Sequence, residues 1–305
     1  MRPSPLALLG AVSLDLAAGE PPDRWHPVAG IGRILAWADR RSERTPASGA
    51  AAVVAITAGV GLAAAAVGCL ARRLGRLGLL LEAVALKPAF AVHRLGGAAA
   101  EVGAALEAGR LDEGRRLVGR HLVSRPTSSL DAPAITSAAV ESLAENLADS
   151  VAGPLLAYGI GGLPAAWAYR TLNTADAMWG YRNARYARFG MAAARLDDAA
   201  NLVPARLAAA ALVAAAPFAG GDGRAAARVA WRDHARTASP NAGWPMSAMA
   251  GALGVGLAKP GEYRLGDQPL PATPEVIRRA LRLYRVASAL LVATAVALTV
   301  WRRGR

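Results

Sequence analysis

The sequence predicts an all-α protein, a multi-pass transmembrane helical bundle with amphipathic interfacial helices. Three observations carry this reading. Of 305 residues, 54% are hydrophobic, 19% charged and 5% aromatic, and the mean hydropathy is +0.27, too apolar for an ordinary soluble domain. Residues 47–71 run for 25 residues without a charge, long enough to cross a bilayer core. The carboxylates Glu141, Glu145 and Asp149 recur every four residues, a spacing that places them on one helix face. The chain reads as one membrane-embedded domain, 1–305, with its chemistry in segments 19–35, 141–206 and 239–245.

The net charge of +13 comes from arginines set beside apolar runs. This pattern matches the cytoplasmic arginine bias of inner-membrane proteins. There is no basic-aromatic motif and no zinc spacing, so no nucleic-acid partner is expected. The single cysteine, Cys69, lies in an apolar run. It has no partner for an internal disulfide and reads as a packing residue.

Taken in order, residues 4–18 form a short apolar segment interrupted by Asp15. One basic residue precedes it, so it reads as an uncleaved helix rather than a signal peptide. Pro21, Pro22 and Pro27 keep Glu20 to His26 out of a helix, and a helix starts near Val28. Glu20, Asp23 and His26 in a rigid loop before a helix can bind a cation or a phosphate. Residues 47–71 are the clearest span, and arginines flank it on both sides, so charge does not orient it. Residues 77–122 read as a helical hairpin at the membrane surface, broken near GRLDEG (109–114). Within it, Lys87 reads as a lysine whose stem lies on apolar surface and whose head reaches water.

A loop at 124–133 leads into the helix of ESLAEN. Residues 150–169 are apolar again, with a break at GIGGLP (159–164); broken helices at membrane depth line cavities. Residues 205–221 form another apolar stretch, 224–237 a basic interfacial segment, 239–245 a compact turn and 259–274 a loop. Residues 275–285 read as a basic amphipathic helix and 286–301 as a last apolar span, with the basic end WRRGR placed in the cytoplasm.

The chemistry concentrates in 141–206. Asn173 and Asp176 are three residues apart, as are Asp198 and Asn201, with Asp197 beside them. Arg170, Arg182, Arg185 and Arg195 flank these stripes. One such stripe is adequately explained as a solvated helix face; three between apolar runs are not, because charges near a membrane are costly. Carboxylates bind a hard cation and arginine forks hold phosphate oxygens, so the set suits Mg²⁺ and a phosphorylated substrate. No P-loop, no G-x-S-x-G elbow and no Cys/His framework is present.

Several segments resemble the adenosylcobinamide-phosphate synthase family of cobalamin biosynthesis. They are ESLAEN with the following Asp149, YRTLNTADAMWGYRNARYARFGMAAARLDDAANLVPARL, SPNAGWPMSAMAGALGV and GEPPDRWHPVAGIGR. The resemblance runs from about residue 14 to 266. It implies a multi-pass enzyme of the cell membrane, its site facing the cytoplasm. It implies ATP-dependent joining of a corrinoid carboxylate, that of adenosylcobyric acid, to (R)-1-amino-2-propanol O-phosphate or a related amino alcohol. ATP is the co-substrate and Mg²⁺ the expected cofactor. Three positions depart from the family pattern: Glu20 replaces Asp, Pro126 replaces the Asp of Arg-Asp-Thr, and Ser150 replaces Gly.

On this reading Glu141, Glu145, Asp176, Asp197 and Asp198 are the catalytic carboxylates, and Asp149, Asp197 and Asp198 hold the metal. Glu20, His26, Asn173, Arg182, Arg195, Asn201, Arg206 and Asn241 bind substrate. The expected partners are the corrinoid, the amino-alcohol phosphate and the bilayer, with late cobalamin-pathway enzymes as further candidates; the sequence leaves the oligomeric state open. Two other readings compete. A membrane prenyltransferase also holds Mg-diphosphate on helical aspartates, but a second Asp-rich motif is missing. A small-molecule transporter suits the polar residues and the broken helix, but no inverted repeat is present.

Overall fold

The computed structural model describes residues 3–20, 22, 24–181, 183–271 and 273–304. The chain is all-α and multi-pass, as its composition predicts. Among the described residues the helices are α1 (Pro5–Ala18), α2 (Pro27–Arg41), α3 (Pro46–Arg73), α4 (Gly75–Leu86), α5 (His93–Glu107), α6 (Leu111–His121), α7 (Ala132–Asn146), α8 (Gly153–Trp179), α9 (Met191–Ala215), α10 (Gly223–Asp233), α11 (Gly243–Leu253) and α12 (Glu275–Arg303). Among the described residues four stretches are long and apolar enough to cross a membrane: Pro46–Arg73, Ala132–Trp179, Met191–Ala219 and Glu275–Arg303. With 28 residues, α3 is about 42 Å long at 1.5 Å per residue, enough for a hydrocarbon core of about 30 Å.

Helix starts follow local chemistry. Pro5, Pro27 and Pro46 each sit in a first turn, where a missing N–H costs nothing. Ser4, His26, Thr45 and Asp131 cap the helices that follow them by accepting a backbone N–H. The predicted start near Val28 is therefore set by the His26 imidazole, whose Nδ1 accepts from Val28 N at 3.2 Å.

Backbone contacts divide the chain into two compact units. The first comprises residues 1–91, 153–201 and 293–305, and the second comprises 92–152 and 202–292. In the first unit α3 packs on α8 and α4, α1 on α4, and α2 on α8. Tyr158 of α8 donates to Glu82 Oε1 of α4 at 2.7 Å, and Trp167 donates to the Ala85 carbonyl at 3.0 Å. The break expected in GIGGLP is present: Gly162 has φ +69° inside α8, a conformation that costs a residue with Cβ dearly, and Pro164 follows it. In the second unit α10 packs on α11, α5 on α6 and α7, and α7 on α11.

Five features differ from the sequence reading. Residues 147–152 form a π-helical turn between α7 and α8. Pro154 explains it: its ring clashes with the carbonyl four residues back and it has no N–H, so the preceding turn widens. The regular α spacing that joined Asp149 to Glu141 and Glu145 therefore ends at Asn146. Residues 259–274 are not simply a loop. Leu257–Lys259 (β1) and Tyr263–Leu265 (β2) pair antiparallel around the Pro260–Gly261 turn, where Gly261 has φ +77°.

The amphipathic segment and the last apolar span form one helix, α12, because nothing between Arg285 and Val286 breaks it. Cys69 is exposed rather than packed; in a lipid-facing helix an apolar run need not be a protein core. Lys87 does not reach water. It is 6% exposed, its Nζ 2.8 Å from Glu20 and 3.5 Å from the fully buried Asp15, so two carboxylates replace the water its charge would need.

Candidate active site

In the first unit the densest polar cluster lies between α8 and α9. One turn of α8 presents Asn173 and Asp176, and one turn of α9 presents Asp197, Asp198 and Asn201. Asp197 is 7% exposed. Asn201 donates to its Oδ2 at 3.0 Å and Asn173 to its Oδ1 at 3.5 Å. Tyr169 donates to Asn201 Oδ1 at 2.5 Å, which fixes the Asn201 amide with its N–H toward Asp197. Arg170 donates to Asn173 Oδ1 at 3.2 Å and orients the second amide likewise.

The Tyr169 ring reaches this position because residue 153 is glycine: a Cβ there would lie 2.0 Å from the ring. Asp176, Asp197 and Asp198 are close enough to repel one another, and no cation among the described residues offsets Asp176 or Asp197. No three His, Cys, Asp or Glu side chains among the described residues converge into a metal cage. Mg²⁺ does not need one: it takes one or two carboxylates and completes its shell with water and substrate phosphates. The donor chemistry here, Asp197 with one neighbouring carboxylate, is therefore of a kind that Mg²⁺ takes.

Also in the first unit, Glu20 and His26 come together as predicted, with His26 Nε2 2.7 Å from Glu20 Oε2. Because Nδ1 accepts from Val28, Nε2 carries the proton and donates. Burial works against a charge on Glu20, but the hydrogen bonds from His26 and Lys87 outweigh it and hold the carboxyl below its ordinary value. Arg195 is exposed on α9. Asp23 and Arg182 lie outside the described residues.

In the second unit Glu141 is buried at 5% exposure. Its oxygens accept from Ser137 Oγ at 2.6 Å and from the Tyr263 hydroxyl at 2.7 Å. Ser137 in turn accepts from Ala258 N at 3.0 Å, tying β1 to α7. Glu145 is exposed one turn further along α7, and Asp149 is half-buried in the π turn. Arg206 and Asn241, 35 positions apart, meet: Arg206 donates to Asn241 Oδ1 at 3.0 Å. The guanidinium also lies over Trp244 at 5.2 Å, and Trp244 stacks on His234 at 3.9 Å.

The structure thus gathers Asn173, Asp176, Asp197, Asp198 and Asn201 in one unit, and Glu141 with Glu145, and Arg206 with Asn241, in the other. Sequence reasoning passed over Tyr169, Ser137, Tyr263 and Trp244, and it read Lys87 as reaching water rather than as the buried partner of Glu20 and Asp15. Tyr169 and Ser137 carried a usable signal, each standing four residues before a named polar residue on the same helix face. Tyr263 carried none until the hairpin was known.

The comparisons with known proteins agree on one family. The family model described as CobD/Cbib protein matches residues 8–284. A cobalamin biosynthesis protein CobD of Klebsiella pneumoniae is 37% identical over 98% of both chains. A probable cobalamin biosynthesis protein CobD of Methanothermobacter thermautotrophicus is 39% identical over 85% of this chain and 86% of its own. The Rhizobium meliloti cobalamin biosynthesis protein CobD is 41% identical over 85% and 83%. No solved structure matches. With its helical membrane architecture and near-complete coverage by these relatives, the chain belongs to the CobD/Cbib family of cobalamin biosynthesis.

Proposed function

We propose that the protein is an ATP-dependent amide synthase that joins the free carboxylate of adenosylcobyric acid to 1-amino-2-propanol O-phosphate, giving adenosylcobinamide phosphate. The observation that carries this reading is the α8–α9 cluster. Asp176 and Asp197 repel each other and Asp198, two amides hold the Asp197 oxygens, and no cation among the described residues offsets Asp176 or Asp197. So much negative charge in an apolar chain favours a cation and the phosphates that accompany it.

A carboxylate is a poor acyl donor because its leaving group is oxide. Transfer of the terminal phosphoryl group of ATP to the carboxylate oxygen gives an acyl phosphate and ADP. Attack of the amine nitrogen then forms the C–N bond and expels phosphate, and the ammonium proton goes to a carboxylate base. When bound, Mg²⁺ would neutralise phosphate charge and lower the barrier to phosphoryl transfer. Asp197 and one neighbouring carboxylate, Asp176 or Asp198, would hold it. Asn201 and Asn173 keep the Asp197 oxygens in place, Tyr169 and Arg170 keep those amides from rotating, and the apolar helices exclude water from the acyl phosphate. The protein works in the cytoplasmic membrane with this site facing the cytoplasm, where ATP is available.

The test is direct. Detergent-purified protein is incubated with Mg–ATP, adenosylcobyric acid and the amine phosphate, and the corrinoid is read by mass spectrometry. A corrinoid heavier by one amine phosphate less one water, formed only with ATP, supports the reading. A folded protein that yields no such product with several amines overturns it.

A further inference from the structure

The second unit contains a small polar cavity of about 150 Å³, lined in part by Arg125, Glu141, Glu145, Lys259 and Tyr263. Its size decides what it can hold. Pockets for drug-sized ligands measure roughly 300–1,000 Å³, so neither a nucleotide nor a corrinoid fits within it. Its charges narrow the choice further. Two cations and two carboxylates line one small space, so a bare anion would meet Glu141 and Glu145, and a bare metal ion would meet Arg125 and Lys259. A ligand carrying both signs satisfies both.

The walls are built to keep this arrangement. Glu141 is anchored by Ser137 and Tyr263 at 2.6 and 2.7 Å, and Ser137 is itself held by Ala258 N. The loop carrying Arg125 is tied twice to Arg115 of α6: Thr127 donates to the Arg115 carbonyl at 2.9 Å, and Arg115 Nε donates to the Leu130 carbonyl at 2.8 Å. Burial, and then the neighbouring Glu141 and Glu145, push the Tyr263 phenol up, so it stays a hydrogen-bond donor. Lys259 lines the cavity and is paired with Glu262 at 2.8 Å across the hairpin turn.

We propose that this cavity is the subsite for a short zwitterionic aminoalkyl phosphate, its phosphate on Arg125 and Lys259 and its ammonium on Glu141 and Glu145. The Arg125 fork matches two phosphate oxygens, and Lys259 adds a point charge. The Tyr263 hydroxyl, while donating to Glu141, keeps a lone pair for the ammonium. The identification of the ligand rests on the amide-synthase reading above; the cavity's charge pattern stands without it.

Titration calorimetry on the full-length protein in detergent tests this with three probes: 1-amino-2-propanol O-phosphate, 1-amino-2-propanol and propyl phosphate. The zwitterion should bind at least about tenfold more tightly than either half, a factor equal to about 1.4 kcal/mol. Arg125→Ala should weaken the aminoalkyl phosphate about tenfold or more and leave the phosphate-free amine unchanged. Glu145→Gln should weaken both amines. Arg125 is half-exposed and Glu145 exposed, so both variants should fold. In turnover assays the KM for the amine phosphate should rise in both while that for ATP holds. A wild-type protein that forms amide while both variants keep its affinity for the aminoalkyl phosphate overturns the subsite alone. Absence of any amide overturns the synthase reading, and the titration still decides the cavity: no preference for the zwitterion there overturns the subsite too.

Discussion

Asn201 donates its side-chain N–H to the Asp197 carboxylate at 3.0 Å, and its carbonyl is in turn held by the Tyr169 hydroxyl. This chain of two bonds fixes where the Asp197 oxygens point without adding positive charge. A basic residue in place of Asn201 would satisfy Asp197 and remove the reason for a cation to bind there.

The first prediction follows from that neutrality. Asp197→Asn removes the most buried of three mutually repelling carboxylates. ATP-dependent amide formation should fall by about a hundredfold or more, the scale seen when a group that stabilises the transition state is removed. The thermal midpoint in detergent should hold or rise, because the repulsion is relieved. Asp198→Asn should likewise abolish product and leave folding intact. Wild-type turnover in either variant would remove that residue from the site.

Tyr169→Phe tests the outer bond. The loss of one hydrogen bond is worth about 0.5–1.5 kcal/mol, so kcat/KM should fall roughly three- to tenfold. The Mg²⁺ concentration for half-maximal rate should rise, which a purely structural role would not produce.

Gly153→Ala should do more harm than its size suggests. Its Cβ would lie 2.0 Å from the Tyr169 ring, so the ring must move. Overpacking of this kind costs about 1–3 kcal/mol, visible as a lower unfolding midpoint, and it should carry the activity loss of Tyr169→Phe with it. Normal stability and activity together would place the ring elsewhere.

The Glu20–His26–Lys87 network sets a pH dependence. The folded-state carboxyl of Glu20 titrates below its ordinary value of 4.5, so between the two values the unfolded chain binds more protons and stability rises with pH. The contribution is complete above about pH 4.5 and is lost as the pH falls through the lowered folded value. Glu20→Gln should lower stability at pH 7 by about 1.5–3 kcal/mol, the range for a hydrogen bond to a charged group, and should flatten the acid limb of a melting-temperature profile. An unchanged acid limb would deny the network that role.

Much of this was legible in the chain. Uncharged length announced α3, the prolines before Val28 announced where α2 begins, and Gly-Gly-Leu-Pro announced the break in α8. The i, i+3 pairs Asn173/Asp176 and Asp198/Asn201 announced two helix faces, and these are the faces that meet. What stayed hidden required partners distant in sequence. Nothing local to Lys87 shows that Asp15 and Glu20 will neutralise it, or that Tyr263 will reach Glu141 across 122 positions. The π turn was hidden differently: Pro154 was visible, but a proline can end, kink or widen a helix, and only the packing decides which.

The central claim is that the carboxylate is activated by ATP before the amine attacks, and isotope transfer tests it most directly. Adenosylcobyric acid labelled with ¹⁸O in its free carboxylate is turned over with Mg–ATP and the amine phosphate, and the released phosphate is read by ³¹P NMR. The account predicts one ¹⁸O in inorganic phosphate for each amide formed from fully labelled acid. Amide formation with unlabelled phosphate, or with no ATP consumed, would contradict it.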